Sequence, residues 1–328
     1  MIKPLTNHGN KNIYPDNSTL IVILGPTAVG KTSLSLQLAR DINGEIISAD
    51  SMQIYKDMDI GTAKASQKER NIIPHYMIDI IKPDQEFSVA EYQAMVDNLI
   101  PGIVYRNKVP ILVGGTGLYI RAVIEGFLFP EMDKNIELRQ KLQKEAQQYG
   151  NKYVYNKLKK IDPELAKKLH PNDLRRVIRG IEVYHQTGKT MTYFKKEKQK
   201  KGDRYRNLKI GLYREREELY KRINKRVDIM IEQGLIDEVK YLLTKYPDLS
   251  KTARQGLGYK EIIGYLKREY DREEAIRLLK RNTRRYAKRQ LTWFRRDQDI
   301  NWFNLSTGDY KKIYSEIKKL SRDFLLDF

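Results

Sequence analysis

Residues 20–126 alternate short apolar runs with amphipathic stretches. Four runs have the length and β-branched content of buried strands: LIVILG (20–25), EIISAD (45–50), HYMIDII (75–81) and VPILVGG (109–115). The stretches between and after them repeat apolar residues at helical spacing: TSLSLQLARDI (32–42), SVAEYQAMVDNLIPGIVYR (88–106) and TGLYIRAVIEG (116–126). Such alternation predicts a parallel sheet covered by helices on both faces. Open sheets of this kind bind ligands at the carboxyl ends of their strands.

The pattern changes at about residue 131, where the chain becomes charged, tyrosine-rich and helical in period. A basic stretch without apolar period, KKEKQKKGDRYR (195–206), is interpreted as a solvated loop, and LKIGLY (208–213) as a strand that returns to the sheet. The sequence from residue 214 to the end is helical in period. We therefore expect an α/β core of residues 20–130 and 204–328 with helical C-terminal elements. Residues 131–203 are predicted to form an all-helical insertion, and residues 1–19 a flexible tail.

Composition excludes several classes of function. The chain has no cysteine, which rules out disulfides, thiol catalysis and cysteine-bound zinc and fits a reducing cytosol. Its four histidines lie far apart in the sequence, so a histidine metal site is not expected. No apolar run approaches the ~20 residues of a membrane span, and the polar N-terminus does not have the pattern of a signal peptide. We expect a cytoplasmic protein without membrane contact.

Charge points to a polyanionic partner. Lysine and arginine number 62 against 42 aspartate and glutamate, a formal net charge of +20. Binding a nucleic acid gives such an excess a direct use, because each neutralised phosphate releases counterions. Charge kept only for solubility is the alternative.

The segment GPTAVGKT matches G-x-x-x-x-G-K-[ST] between a predicted strand and a predicted helix. This context predicts a P-loop NTPase-like sheet with a site for a di- or triphosphate. The loop comprises Gly25, Pro26, Thr27, Ala28, Val29, Gly30, Lys31 and Thr32. Lys31 is expected against the terminal phosphates, and the Thr32 hydroxyl on Mg²⁺.

Nucleotide-hydrolysing P-loop proteins place a magnesium-organising acid at the end of a nearby strand. Here VPILVGG ends at Gly114, Gly115 and Thr116 without an acid, and only EIISAD ends in a carboxylate, Asp50. A carboxylate beside bound phosphates suits a general base, although a helix cap or turn is the structural alternative. Two enzyme classes remain open on this reasoning. One is a small-molecule kinase, and the other transfers the organic group of a diphosphate.

Five segments together resemble the bacterial tRNA dimethylallyltransferases: GPTAVGKT, ISADSMQIYKDMDIGTAK, PHYMIDII, ILVGGTGLY and AKRQLTWFRR, in order over residues 20–296. The resemblance implies transfer of the isopentenyl chain of dimethylallyl diphosphate to N6 of adenosine 37, beside the tRNA anticodon, with release of pyrophosphate. The implied partners are that diphosphate and the tRNA anticodon stem-loop. We expect a monomer with no obligate protein partner.

The resemblance also implies roles for residues. Asp50 acts as the base, Thr27 places its hydroxyl near the bridging oxygen, and Lys31 stabilises the leaving group. Contacts with tRNA are implied for Asp50, Ser51, Met52, Gln53, Thr116, Arg139, Arg175, Arg176, Arg179, Gln255, Gly256, Gly258, Tyr259, Lys260, Lys288, Arg289, Gln290, Trp293 and Arg295. Arg175, in NDLRRVIRGIE, stands where the family usually has glutamine, which leaves the role of that position open.

Structural alternatives accompany these assignments. Thr116 can be a helix cap, Arg139 a solvated arginine, and residues 255–260 an ordinary interhelical turn. Arg176 and Arg179 can belong to an exposed basic face. Two further functions also remain: an adenylate isopentenyltransferase acting on free AMP, ADP or ATP, and a non-catalytic RNA-binding protein with a vestigial loop. The charge of +20 argues against the isopentenyltransferase of free nucleotides.

Overall fold

The computed structural model describes residues 19–130, 132–199, 203–306 and 308–327. All but the last residue of the expected flexible tail, 1–19, lie outside these ranges. The chain divides into two compact units. The first combines the described residues up to Ile124 with those from Tyr205 onward, and the second spans Glu125–Arg204.

The first unit is built on a parallel sheet. Its six strands are β1 (Thr19–Leu24), β2 (Gly44–Ala49), β3 (His75–Tyr76), β4 (Val109–Gly114), β5 (Arg206–Tyr213) and β6 (Asn301–Asn304). They lie in the order β3-β2-β4-β1-β5-β6, and every neighbouring pair is parallel. Ile21 on β1 pairs with Ile111 on β4 and with Leu208 on β5. The predicted α/β fold with a parallel sheet is confirmed.

Helices cover both faces of this sheet. The helices around the sheet strands in the sequence are α1 (Lys31–Asp41), α2 (Gln67–Ile72), α3 (Val89–Tyr105), α4 (Gly117–Glu125), α10 (Arg216–Glu232), α11 (Leu235–Lys245), α12 (Lys251–Arg254), α13 (Tyr259–Leu266), α14 (Arg272–Phe294) and α15 (Tyr310–Leu326). α3 and α4 pack on one face, whereas α1, α10 and α15 pack on the other. A further apolar cluster joins α10–α14 to the loop around Tyr55, so the C-terminal helices support the segment that follows β2.

Among its described residues the second unit has helices joined by turns and irregular segments, and no strand. It contains α5 (Ile136–Tyr149), α6 (Asn151–Ile161), α7 (Pro163–Ala166), α8 (Leu174–Thr187) and α9 (Met191–Gln199). Val154, Leu158, Val177 and Ile181 form the centre of its own apolar core. No helix in the described parts of the chain is long and apolar enough to cross a membrane.

Several sequence expectations are corrected. The run HYMIDII is a strand only at His75–Tyr76, because Met77 (φ 61°) and Asp79 (φ 57°) take left-handed conformations that end the ladder. The C-terminal region is not wholly helical, since β6 adds an edge strand beside β5. The basic stretch expected as a loop is helical as far as Gln199, where α9 ends.

Candidate active site

The glycine-rich segment forms a tight loop between β1 and α1. Gly25 (φ 150°) and Gly30 (φ 116°) hold backbone conformations that other residues rarely adopt. A side chain at Gly25 would also lie 2.5 Å from the backbone oxygen of Leu212 on β5. α1 begins at Lys31, and within the described ranges no side chain caps its first turn. The positive end of α1 is therefore available to an anion.

Lys31 folds back onto its own loop. Its ammonium group donates hydrogen bonds to the carbonyl oxygens of Gly25 at 2.9 Å and Pro26 at 2.8 Å. Burial lowers the pKa of Lys31 to about 8, with Arg226 acting in the same direction and Asp50 in the opposite one. The lysine shares a small cavity of about 60 Å³ with Thr32, Ser48, Asp50 and Gln53, among other residues. The cation expected on phosphate and the carboxylate expected as base thus line one cavity.

Asp50 directly follows β2, and its position is fixed by the turn that begins there. One carboxylate oxygen accepts the backbone N–H of Met52 at 2.9 Å. The N–H of Ser51 donates to the Thr116 hydroxyl oxygen at 3.1 Å. Thr116 follows β4, the neighbour of β2, and its own N–H donates to the Ala49 carbonyl at 3.1 Å. The two strand ends therefore hold Asp50 and Thr116 next to each other.

Gln53 supports the loop after β2 from inside. Its side-chain oxygen accepts from the Ser48 hydroxyl at 2.8 Å, and its amide nitrogen donates to the Thr62 carbonyl at 3.3 Å. Met52 packs against Gly256, where an added Cβ would lie 2.5 Å from the Met52 methyl carbon. The segment after Asp50 and the turn before α13 are consequently in direct contact.

The residues of that turn and of the first positions of α13, all predicted to contact RNA, differ in exposure. Gln255 and Lys260 are exposed, whereas Gly256 and Gly258 are buried, and Gly258 has a φ of 92°. Tyr259 is 1% exposed, so its side chain lies inside the protein, and its contact with RNA stays a prediction. The Tyr259 hydroxyl donates a hydrogen bond to Glu238 at 2.7 Å, within the protein.

α14 presents one basic face and one face that fits the site loops. Its exposed predicted residues are Lys288, Arg289 and Trp293, followed by Arg295 just after the helix. Ala287 and Phe294 are buried, as expected for the apolar side. Trp293 lies over Gly117, where an added Cβ would be 2.2 Å from the indole nitrogen. Gln290 is only 6% exposed, so its side chain lies inside the protein, and a contact with RNA stays a prediction for this residue.

In the helical unit, two of the predicted arginines hold a buried carboxylate. Arg139 donates to both oxygens of Glu182, at 2.6 and 2.7 Å, and Arg179 donates at 2.7 Å. Burial alone acts to raise the pKa of Glu182, but the hydrogen bonds from the two arginines hold it below its ordinary value. Arg175 and Arg176 are exposed, and Arg176 pairs with Asp173 at the start of α8. Of the four arginines, these two are exposed, whereas Arg139 and Arg179 are half-buried.

Sequence reasoning missed three arginines beside the phosphate loop. Arg214 donates through Nε to the Val29 carbonyl at 3.0 Å, and Arg222 donates through Nε to the Ala28 carbonyl at 3.0 Å. The Nε of Arg226 is buried and has no hydrogen-bond partner among the described residues. Burial lowers the pKa of Arg226, and Asp50 opposes that shift. The i,i+4 spacing in RINKR was the available signal, because it places Arg222 and Arg226 on one face of α10.

The charges around the cavity are unbalanced. Arg226 is close enough to disfavour the charged form of Lys31, and the carboxylate that favours the charged form of both side chains is Asp50. An anion entering beside the two cations offsets their excess, which fits a diphosphate at the loop. Hydroxyl and carboxylate oxygens from Thr32 and Asp50 line the cavity and match the hard donors that Mg²⁺ takes together with substrate phosphates. Among the described residues no three acidic, histidine or cysteine side chains cluster as a metal site.

Comparison with known proteins identifies the family. The IPP transferase family model matches residues 53–297, and the isopentenyl transferase model matches residues 18–80. A tRNA dimethylallyltransferase of Alkaliphilus oremlandii is 54% identical over 309 residues, which cover 94% of this chain and 96% of that protein.

Solved structures agree with this result. The full-length tRNA isopentenylpyrophosphate transferase of Bacillus halodurans is 44% identical, with a TM-score of 0.71 and coverage of 94% of this chain and 97% of that one. A eukaryotic dimethylallyltransferase acting on tRNA is 33% identical, with a TM-score of 0.83 and coverage of 95% and 80%. Sequence identity, coverage and shared fold lead to one conclusion: this chain belongs to the IPP transferase family, as the resemblance of its motifs to the tRNA dimethylallyltransferases indicated.

Proposed function

We propose that this protein transfers the dimethylallyl group of dimethylallyl diphosphate to N6 of adenosine 37 in tRNA and releases pyrophosphate. The observation that carries the proposal is the cavity shared by Lys31, Thr32 and Asp50. It combines a leaving-group site with a proton acceptor, while β4, the neighbour of β1, ends at Gly114 and continues into Gly115 and Thr116 without the acid of nucleotide hydrolases. The family relation supports transfer to tRNA over the kinase and free-nucleotide alternatives.

The donor diphosphate binds at the loop. The N–H groups at the start of α1 face the oxyanions, and Lys31 exchanges its internal acceptors, Gly25 and Pro26, for phosphate oxygens. Arg226, whose Nε is buried without a partner among the described residues, supplies a second cation. Negative charge grows on the departing diphosphate, so these groups stabilise the transition state more than the bound donor.

The acceptor nitrogen is a weak nucleophile because its lone pair is delocalised into the purine ring. As the N6–C1 bond forms, the C1–O bond to the diphosphate breaks, and its electron pair leaves with the oxygen. The N6 proton passes to the Asp50 carboxylate. The backbone N–H of Met52 keeps one oxygen of that carboxylate in place and leaves the other for the proton.

The adenine reaches Asp50 only after leaving the anticodon-loop stack, since N6 chemistry needs access to the base edge. Asp50, Ser51, Met52, Gln53 and Thr116 surround the point where we place the extruded base. Ser51 and Thr116 are linked by a hydrogen bond, so the two strand ends act together on the acceptor.

Mg²⁺ fits this site as a cofactor. The Thr32 hydroxyl would hold it together with diphosphate oxygens, and Asp50 is the carboxylate among the residues that line the cavity. When bound, the ion supplies Lewis-acid stabilisation of the leaving oxyanion.

RNA phosphates are assigned to the exposed cations of each unit. In the first unit these are Lys260, Lys288, Arg289 and Arg295, with Gln255 and Trp293 as neutral contacts. In the helical unit they are Arg175 and Arg176. Arginine and an exposed indole also suit stacking on unpaired bases.

Mass analysis of nucleosides tests the proposal. Unmodified tRNA is incubated with the protein, dimethylallyl diphosphate and Mg²⁺, then digested. We expect an adenosine that has gained one isopentenyl group, mapped to position 37, while AMP, ADP and ATP gain none. Prenylation of free nucleotides in preference to tRNA, or phosphate transfer from ATP without use of the prenyl donor, would contradict the assignment.

A further inference from the structure

Gln290 joins the two loops that flank the cavity. Its side-chain oxygen accepts the backbone N–H of Thr27 at 3.0 Å, and its amide nitrogen donates to the carbonyl of Gly115 at 2.9 Å. Thr27 belongs to the phosphate loop after β1, and Gly115 to the loop after β4. These strands are neighbours in the sheet, paired as far as Leu24 and Gly114. A single side chain therefore connects two adjacent strand ends.

The fit at this link is tight. A Cβ on Gly115 would lie 2.1 Å from the amide nitrogen of Gln290, so only glycine lets the helix and the loop approach this closely. Gln290 is 6% exposed, and water does not replace these bonds readily in a buried position. The side-chain oxygen and one N–H of the amide are therefore matched by backbone groups.

The link has a consequence for each loop. Because the Thr27 N–H donates to Gln290, it does not serve as a phosphate ligand. The orientation of this peptide group also sets the direction of the Thr27 side chain. On the other side, Gly115 immediately precedes Thr116, which accepts the N–H of Ser51 beside Asp50. A shift of Gly115 therefore moves Thr116 and the acceptor adenine relative to the phosphate loop that binds the donor.

We infer that Gln290 is a positioning residue for the transfer reaction: it fixes the distance between the leaving-group loop carrying Thr27 and the acceptor-side loop carrying Thr116. This inference rests on the proposed function. It differs from a role in RNA binding, because the amide lies inside the protein although its helix neighbours Lys288 and Arg289 are exposed. Alignment of the reacting atoms is sensitive to such displacements, and about 1 Å can cost about a hundredfold in rate.

The test replaces Gln290 with methionine, which keeps the volume and removes both hydrogen bonds. We expect kcat/KM for dimethylallyl diphosphate to fall by about 10- to 100-fold, while the dissociation constant of tRNA stays within about twofold of wild type. Ile103→Ala serves as the control, since Ile103 is fully buried on α3 and the cavity is lined by residues of other elements. It should lower the melting temperature yet leave the kinetic constants unchanged below that temperature.

Gly115→Ala provides a second variant, because the new methyl group displaces the Gln290 amide without removing it. We expect it to reproduce the kinetic defect, and the double variant with Gln290→Met to be little worse than either single change. Additive losses, weakened tRNA binding with unchanged donor kinetics, or an equal defect in Ile103→Ala would overturn the inference. Absence of transfer by the wild-type protein would instead refute the proposed function, so the two failures are distinguishable.

Discussion

The hydroxyl of Tyr259 donates a hydrogen bond to Glu238 at 2.7 Å. The same carboxylate accepts the backbone N–H groups of Asp59, Ile60 and Gly61, at 3.0, 2.7 and 3.1 Å. Gly61 lies so close to the tyrosine ring that an added Cβ would be 2.6 Å from it. Glu238 thus holds residues 59–61, in the segment that follows Asp50, and joins them to the first residue of α13.

Replacing Glu238 with glutamine should loosen this segment. The amide nitrogen of the new side chain faces N–H donors, so at least one backbone donor is left without an acceptor, at a cost of about 1–3 kcal/mol in the free energy of unfolding. Hydrogen exchange should become faster at residues 59–61. Asp237→Asn is the matched control, because the neighbouring Asp237 is exposed and forms a surface ion pair with Lys240. Unchanged exchange in Glu238→Gln would show that other interactions hold the segment.

Asp50→Asn should separate chemistry from binding. The asparagine oxygen can still accept the Met52 N–H, so the turn is preserved, but the side chain no longer takes the N6 proton. We expect kcat to fall by about 10²- to 10⁴-fold with both substrate affinities retained. Single-turnover transfer of labelled prenyl groups and separate binding assays measure the two quantities. Full activity in this variant would remove Asp50 from the role of base.

Donor affinity should depend on the protonation of Lys31. Its pKa of about 8 lies below the ordinary 10.5, so above pH 8 the free protein carries a neutral lysine, whereas the bound diphosphate favours the charged form. Affinity for a non-reactive thio-analogue of the donor should therefore be constant below pH 8 and weaken by up to about tenfold per pH unit above it.

Calorimetry between about pH 6.5 and pH 9.5, a range that brackets this pKa, should detect proton uptake on binding at the alkaline end when buffers of different ionisation enthalpy are compared. Lys31→Met should bind weakly and lack this uptake. A wild-type affinity that does not change across the range would mean that Lys31 does not titrate there in the free protein.

Arg226→Met should raise KM for the diphosphate donor more than for tRNA. The buried Nε of this half-buried arginine has no partner within the described structure, and a bound anion gives it one. Removing one charge-assisted hydrogen bond corresponds to about 1.5–3 kcal/mol, or roughly 10- to 150-fold in donor affinity. Lys225→Ala, an exposed neighbour on the same helix, is the control and should leave donor affinity unchanged. An equal effect from both variants would indicate nonspecific electrostatics.

The arginines of the helical unit should divide into two groups. Arg175→Ala and Arg176→Ala should weaken tRNA binding and lower its salt dependence, by about one unit of the log–log slope for each RNA phosphate that is no longer neutralised. Arg139→Ala should instead destabilise the unit, since it removes two hydrogen bonds from the buried Glu182. Filter binding at several salt concentrations and thermal unfolding separate the effects. Reduced stability of Arg176→Ala without altered salt dependence would contradict the division.

The central strands were predictable because β1 is buried on both faces and reads as an unbroken apolar run. β6 was not, since NWFN is only four residues long and its side chains are half-buried or exposed at the sheet edge. Within the active site, the spacing of the glycines predicts the loop before Lys31, because the backbone conformation of that loop depends only on neighbouring residues. The surroundings of Arg226, Tyr259 and Gln290 depend on helices packing against loops far away in the sequence. Periodicity shows which helix face is apolar but not which polar side chain on that face finds a buried partner.

The self-contained hydrogen bonding of Lys31 has a consequence for ligand choice. Since the ammonium group already bonds to two carbonyl oxygens, of Gly25 and Pro26, a ligand that turns it toward the cavity has to replace those two bonds with bonds to its own oxygens. A monophosphate that does so has few oxygens left for the N–H groups at the start of α1, whereas a chain of two phosphoryl groups replaces both bonds and also reaches the helix end. The resting loop therefore favours a prenyl diphosphate over a prenyl monophosphate before any chemistry begins.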